Sequence, residues 1–96
     1  KPLPVMQVEE ERSEPELVRA AVRCIGLYSD SDGLEALHPL IGHSDWSVRA
    51  EAIQTLADRR SIRAVPVILR RLDLEQDDFV REVTLSALKR LEGEVG

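Results

Sequence analysis

The chain has 96 residues, 43% hydrophobic and 32% charged, enough apolar material for one soluble domain with a modest core. Its 18 acidic against 13 basic residues give a net charge of −5, which repels nucleic acid at long range, and no apolar run approaches the roughly 20 residues that span a bilayer. The single cysteine, Cys24, excludes an internal disulfide and a multi-thiolate metal site and suits a reducing, cytoplasmic setting.

One Trp, one Tyr and one Phe cannot dominate a core, so Leu, Val, Ile and Ala must fill it, the composition of packed helices. The opening residues 1–12, "KPLPVMQVEEER", read as an acidic lead-in or linker. They start at Lys1 rather than Met, as expected of a piece of a longer polypeptide.

A first helix is predicted over 15–27. Ser13 and Glu16 form a capping-box pair, and Pro15 falls in the first turn, where a missing amide is harmless. A second helix follows over 33–43, opened by Asp32 and Glu35, with Leu34, Leu37, Leu40 and Ile41 as its apolar positions. The third, over 46–58, has Asp45 before it. The fourth, over 62–73, carries Ile62, Val65, Ile68, Leu69 and Leu72, and the fifth, over 78–92, follows Asp77. Pro39 and Pro66 lie about a turn and a half into the second and fourth helices, where each should remove a hydrogen bond and bend the axis.

The third and fifth helices repeat one another: "SDWSVRAEAIQTLAD" returns as "QDDFVREVTLSALKR", and a fainter copy, "SEPELVRAAVRCIGL", precedes both. Aligning Leu17, Val48 and Val80 gives spacings of 31 and 32 residues, the signature of a stacked array. Apolar or small residues recur four, five and eight positions after each anchor: Ala21, Val22 and Ile25; Ala52, Ile53 and Leu56; Thr84, Leu85 and Leu88. The expected architecture is all-α: helical hairpins in units 13–43, 44–75 and 76–92, about two and a half repeats within a domain of residues 13–96, the last helix acting as a cap or marking a truncated array.

These strings resemble HEAT repeats, in particular the bacterial type whose units read Asp, two residues, Val-Arg, an Ala-rich helix, then Ala-Leu-x-Pro-Leu, as found in phycocyanobilin-lyase-type proteins. The matches are "DWSVRAEAIQTL" with "AVPVIL", "DDFVREVTLSAL", and the weaker "ELVRAAVRCIG" with "ALHPLI". The resemblance implies a right-handed α-α superhelix whose second helices line a concave surface that holds another protein. It also implies an Asp/Arg ladder between successive turns.

The wheel independently makes Arg49 and Arg81 informative. Both sit about 100° from their anchors, inside the apolar arc, so a cation points into the seam between hairpins. An unpaired buried charge costs several kcal/mol, and Asp45 and Asp77 are the expected counter-ions. The first unit lacks both members, with Glu14 and Val18 in their places.

Catalytic chemistry finds little footing. His38 and His43 are five residues apart and cannot jointly grip a metal on one helix, and the His-Glu pairs of HEAT-like deoxyhypusine hydroxylases have no counterpart. "YSDSDGLE" lacks the ligand spacing of a calcium loop, Cys24 reads as a buried small hydrophobe, and no cofactor is implied. The candidate partner-binding residues are Arg59, Arg60, Arg63, Arg70 and Arg71, of which Arg63 and Arg70 share the face of Pro66 opposite the apolar stripe. Trp46 joins them as an aromatic anchor, though it more simply covers the end of the preceding helix. Eleven of the 13 basic residues are Arg, suited to planar pairing with carboxylates, so the expected function is a non-catalytic scaffold gripping an acidic segment of a protein partner. The alternatives are an accessory domain of a chromophore-lyase-like enzyme and a regulatory domain fused to a transporter or signalling protein.

Overall fold

The computed structural model describes residues 13–95, with side chains described from 14 to 93, so the expected lead-in and the side chain of Ser13 lie outside the described residues. In chain order the helices are α1 (Ser13–Tyr28), α2 (Ser31–Leu34) running into a 3-10 helix (Glu35–Gly42), α3 (Trp46–Asp58), a 3-10 turn (Ile62–Ala64) running into α4 (Val65–Leu72), and α5 (Asp78–Val95). Among the described residues there is no strand. The fold is the all-α stack of helix pairs that the repeat predicts.

Two rows of helices build it. The first helices α1, α3 and α5 lie side by side, α3 in the middle; the 3-10 helix packs on α3 and α4, and α4 packs on α5. One cluster runs through both rows and includes Val22, Ile53, Leu56, Ile68, Val80 and Leu91. At Gly26 a Cβ would overlap Thr55 Cγ2, so the glycine lets α1 and α3 approach closely.

Helix starts follow side-chain chemistry. Asp45 accepts from the backbone N–H of Ser47 at 2.8 Å and of Val48 at 3.3 Å, and Asp77 accepts from Val80 N at 3.0 Å. The second helix departs from expectation, since its cap is Asp30, which accepts from Gly33 N at 2.8 Å, while Asp32 lies in the first turn. α3 ends in a Schellman motif: Ser61 N donates to Leu56 O and Arg60 N to Ala57 O, with Arg60 in the left-handed region at φ 55° where glycine is usual.

The two prolines differ in effect. Pro39 lies inside the 3-10 helix, so the second element never settles into a regular α-helix after Leu34. Pro66 is at the start of α4, where its missing N–H is one of the orphans anyway; it opens the helix rather than bending it.

Burial divides each first helix into two edges. Val48 and Ala52 of α3 and Val80 and Thr84 of α5 face the preceding helix and are buried; the matching Leu17 and Ala21 of α1 are exposed, Leu17 at 66%. On the opposite edge Ile53 and Leu56 of α3 are fully buried, whereas Leu85 of α5 is 51% exposed. Cys24, expected to be buried, is exposed because it shares the open edge of α1. Ile62 and Leu69 are half-exposed, so the stripe that α4 buries is narrower than the sequence pattern and centres on Ile68.

Candidate functional site

The seam at the start of α3 is the most elaborate polar structure in the described chain. Arg49 is 8% exposed. Its Nε and Nη2 donate to the two carboxylate oxygens of Glu75, each at 2.8 Å, and its Nη1 donates to the carbonyls of His43 at 2.8 Å and Ser44 at 3.1 Å. Glu75 also accepts from Asp77 N at 3.0 Å, and Arg71 Nε stands 3.9 Å away. Burial pushes the Glu75 carboxyl upward, but the hydrogen bonds from Arg49 and Asp77 N, with the charges of Arg49 and Arg71, outweigh it and hold it below 4.5. The hydrogen bonds to Glu75 in turn raise Arg49 above its ordinary value.

The counter-ion is therefore not the expected one. Asp45 spends its carboxylate on the amides of Ser47 and Val48 and on the Ser47 hydroxyl, and it acts on Arg49 only through space. Those hydrogen bonds, the Ser47 hydroxyl first, hold Asp45 below its ordinary value. Asp45→Ala is thus expected to cost about 0.5–2 kcal/mol, the range for a lost N-cap rather than for a stranded buried cation; urea denaturation measures it.

Arg81 departs further. Its Nη1 donates to Leu72 O at 3.1 Å and Glu75 O at 3.4 Å, clamping the loop before α5 as Arg49 clamps the loop before α3. Among the described residues no carboxylate pairs with it, Asp77 being used as the cap of α5, and Arg81 is exposed. One rung of the expected ladder is buried with a different partner, and the other lies open.

The arginine cluster does not form one free cationic face. Arg59 donates to Gly26 O at 2.8 Å, Arg60 forms the left-handed turn, and Arg63 reaches Asp32 at 2.8 Å and Glu35 at 2.7 Å. The last pairing raises the Arg63 guanidinium above its ordinary value, the Asp32 bond first and the Glu35 bond next. Arg71 is partly buried beside Glu75. Arg70 is exposed on the stripe shared with Arg63 and Pro66.

Most of these contacts are staples between neighbouring hairpins. Arg19 to Ser47, Arg23 to Glu51 at 3.3 Å and Arg90 to Asp58 at 2.7 Å join successive first helices in the same manner. Partners about one repeat apart are a signal that a sequence reading could have used.

Trp46 is half-exposed and meets Phe79 edge-on, ring centroids 5.7 Å apart, so it reaches forward to α5. The backbone N–H of Asp45 donates to His43 Nδ1 at 3.0 Å. Among the described residues no three His, Cys, Asp or Glu side chains cluster to hold a metal ion, and no helix is long and apolar enough to cross a membrane.

No curated protein and no solved structure matches the chain significantly. A family model described as HEAT repeats matches residues 4–89, taking in every helix from α1 to most of α5, and this chain belongs to the HEAT repeat family.

Proposed function

We propose that this chain is a non-catalytic protein-interaction module that grips an acidic segment of a partner on the exposed stripe of its second helices. HEAT repeats generally serve as protein-interaction scaffolds, which sets the class. The observation that carries the finer reading is the exposed run of Arg63 on the 3-10 turn and Pro66 and Arg70 on α4. Arg63 is already answered by Asp32 and Glu35, but those side chains are 86% and 51% exposed. Exposed pairs contribute only about 0–1 kcal/mol, so a partner carboxylate can displace either one. Arg59 and Arg60 lie beside Arg63 at one end of the stripe, Arg71 is turned towards Glu75, and Trp46 supplies an aromatic anchor elsewhere on the surface.

Immobilised wild-type chain is expected to retain a protein from cell extract at low salt and release it as salt rises, while Arg63→Glu/Arg70→Glu retains none. Equal capture by the two, or capture indifferent to salt, overturns the choice of surface.

A further inference from the structure

The chain's one Trp and one Phe are placed against each other on the surface rather than in the core. Trp46, at the start of α3, and Phe79, in the first turn of α5, are 50% and 55% exposed. Their planes meet at 89°, so the contact takes an edge of one ring and a face of the other and leaves the remaining faces to solvent. Joining α3 to α5 does not require such exposure, since Ile53 and Val80 of the same two helices are fully buried in the core cluster.

The surroundings of the rings are acidic. Asp78 immediately precedes Phe79 and Glu82 follows it by one turn, and neither carboxylate forms a hydrogen bond or an ion pair among the described residues. The N-terminal end of α5 favours an anion in its first turn and so accounts for Asp78, but Glu82 lies beyond that turn. The residues three and four positions from Glu82 are Asp78, Phe79, Leu85 and Ser86, none of them a cation. Arg81 turns instead to the carbonyls of Leu72 and Glu75. Glu82 also lines a groove of about 300 Å³ between α3 and α5 with Gln54, Val83, Ser86, Ala87 and Arg90, and Arg90 is held by Asp58 at 2.7 Å. Phe79 stands one turn before Glu82 and Val83, so the ring pair forms the near end of that groove.

We propose that this ledge docks a basic segment of a partner protein. An Arg or Lys side chain lies over an open ring face, its cation is answered by Glu82 and Asp78, and the flanking chain continues into the groove, where Gln54 and Ser86 offer hydrogen bonds. The net charge of −5 draws in a basic segment and repels nucleic acid. The inference shares only the scaffold class with the grip on an acidic segment: its ligand has the opposite sign, and its surface lies on the row of first helices, away from Arg63 and Arg70.

Trp46 is the only tryptophan, so its emission reports the ledge directly. The probe is a short peptide of alternating arginine and glycine, titrated into the full 96-residue chain in about 0.1 M salt, where exposed charges more than about 10 Å apart are largely screened. It should change Trp46 emission saturably, more weakly as salt rises, and the matching glutamate peptide should change nothing. Phe79→Leu keeps apolar bulk while removing the ring and should weaken binding about two- to fivefold, the scale of a cation over an exposed ring. Glu82→Lys should weaken it at least about fivefold, because an attraction becomes a repulsion. Glu92→Lys makes the same change of charge about 15 Å farther along α5 and should leave binding unchanged.

No saturable response, or an equal response to the glutamate peptide, overturns the proposal. Equal losses in Glu82→Lys and Glu92→Lys overturn it too, by reducing the effect to net charge. Emission that moves with protein concentration in the chain alone overturns it in favour of a second copy. Arg63→Glu/Arg70→Glu should leave this titration unchanged, and Glu82→Lys should leave capture at the stripe unchanged, so the two surfaces fail or stand separately.

Discussion

Replacing Glu75 with alanine should destabilise the fold by about 3–5 kcal/mol, because it strands a guanidinium that is nearly closed off from water. In a domain of this size each kcal/mol shifts Tm by about 4–8 °C, so thermal unfolding should show a fall of more than about 12 °C. The double change Arg49→Met/Glu75→Leu should recover most of that loss, since two apolar groups of similar volume remove both the charge and its need for an answer. Failure of the double variant to improve on Glu75→Ala would mean that the carbonyls of His43 and Ser44, which Arg49 also binds, supply the larger share of the effect. The same pair sets an acid limb. Glu75 is held below its ordinary 4.5 in the folded state, so its contribution is fully present above about pH 4.5 and is lost as pH falls through the lowered value. Tm measured from pH 6 to 3 should fall less steeply in Glu75→Gln than in wild type.

How far this seam could be read in advance is instructive. The wheel position of Arg49 was enough to place a cation among apolar side chains, and its burial follows. Asp45 is the nearby carboxylate and the one that the Asp/Arg motif implies as its counter-ion, and both signals mislead here. A carboxylate at the N-cap folds back on the amides of its own first turn, leaving the cation four residues on to look elsewhere. The true partner, 26 residues away, sits on the loop after the following helix. Its position has a rule: Glu75 precedes Asp77 by two residues and accepts its N–H, as His43 precedes Asp45 by two and accepts its N–H. Where this site holds His43 rather than a carboxylate, the matching first-helix position holds Val18 rather than Arg. Read this way, the weak first repeat has lost a linked pair, though not the one that the Asp/Arg motif suggests.

The helix period was legible because it depends on local spacing. Which side of each first helix meets a neighbour was not, because a wheel gives one wide arc and cannot divide it between the hairpin before and the hairpin after. Leu17 and Leu85 belong to that arc as fully as Val48 and Ile53 do, yet both are half-exposed or more.

That division predicts the sharpest contrast between equivalent positions. Ile53 and Leu85 stand at the same place in the repeat, 32 residues apart, yet Ile53 is fully buried and Leu85 is half in water. Ile53→Ala should cost about 2–5 kcal/mol, since its lost methyl groups leave a cavity inside the fully buried cluster that Ile53 shares with Leu56, Ile68 and Val80. Leu85→Ala should cost less than about 1 kcal/mol, because what it removes is already solvated and no enclosed cavity results. Urea midpoints at constant slope measure both. Two comparable losses would mean that α5 is covered on its outer edge in solution, by a second copy or by a segment outside the described residues; the Leu85 loss should then vary with protein concentration in the first case and stay constant in the second.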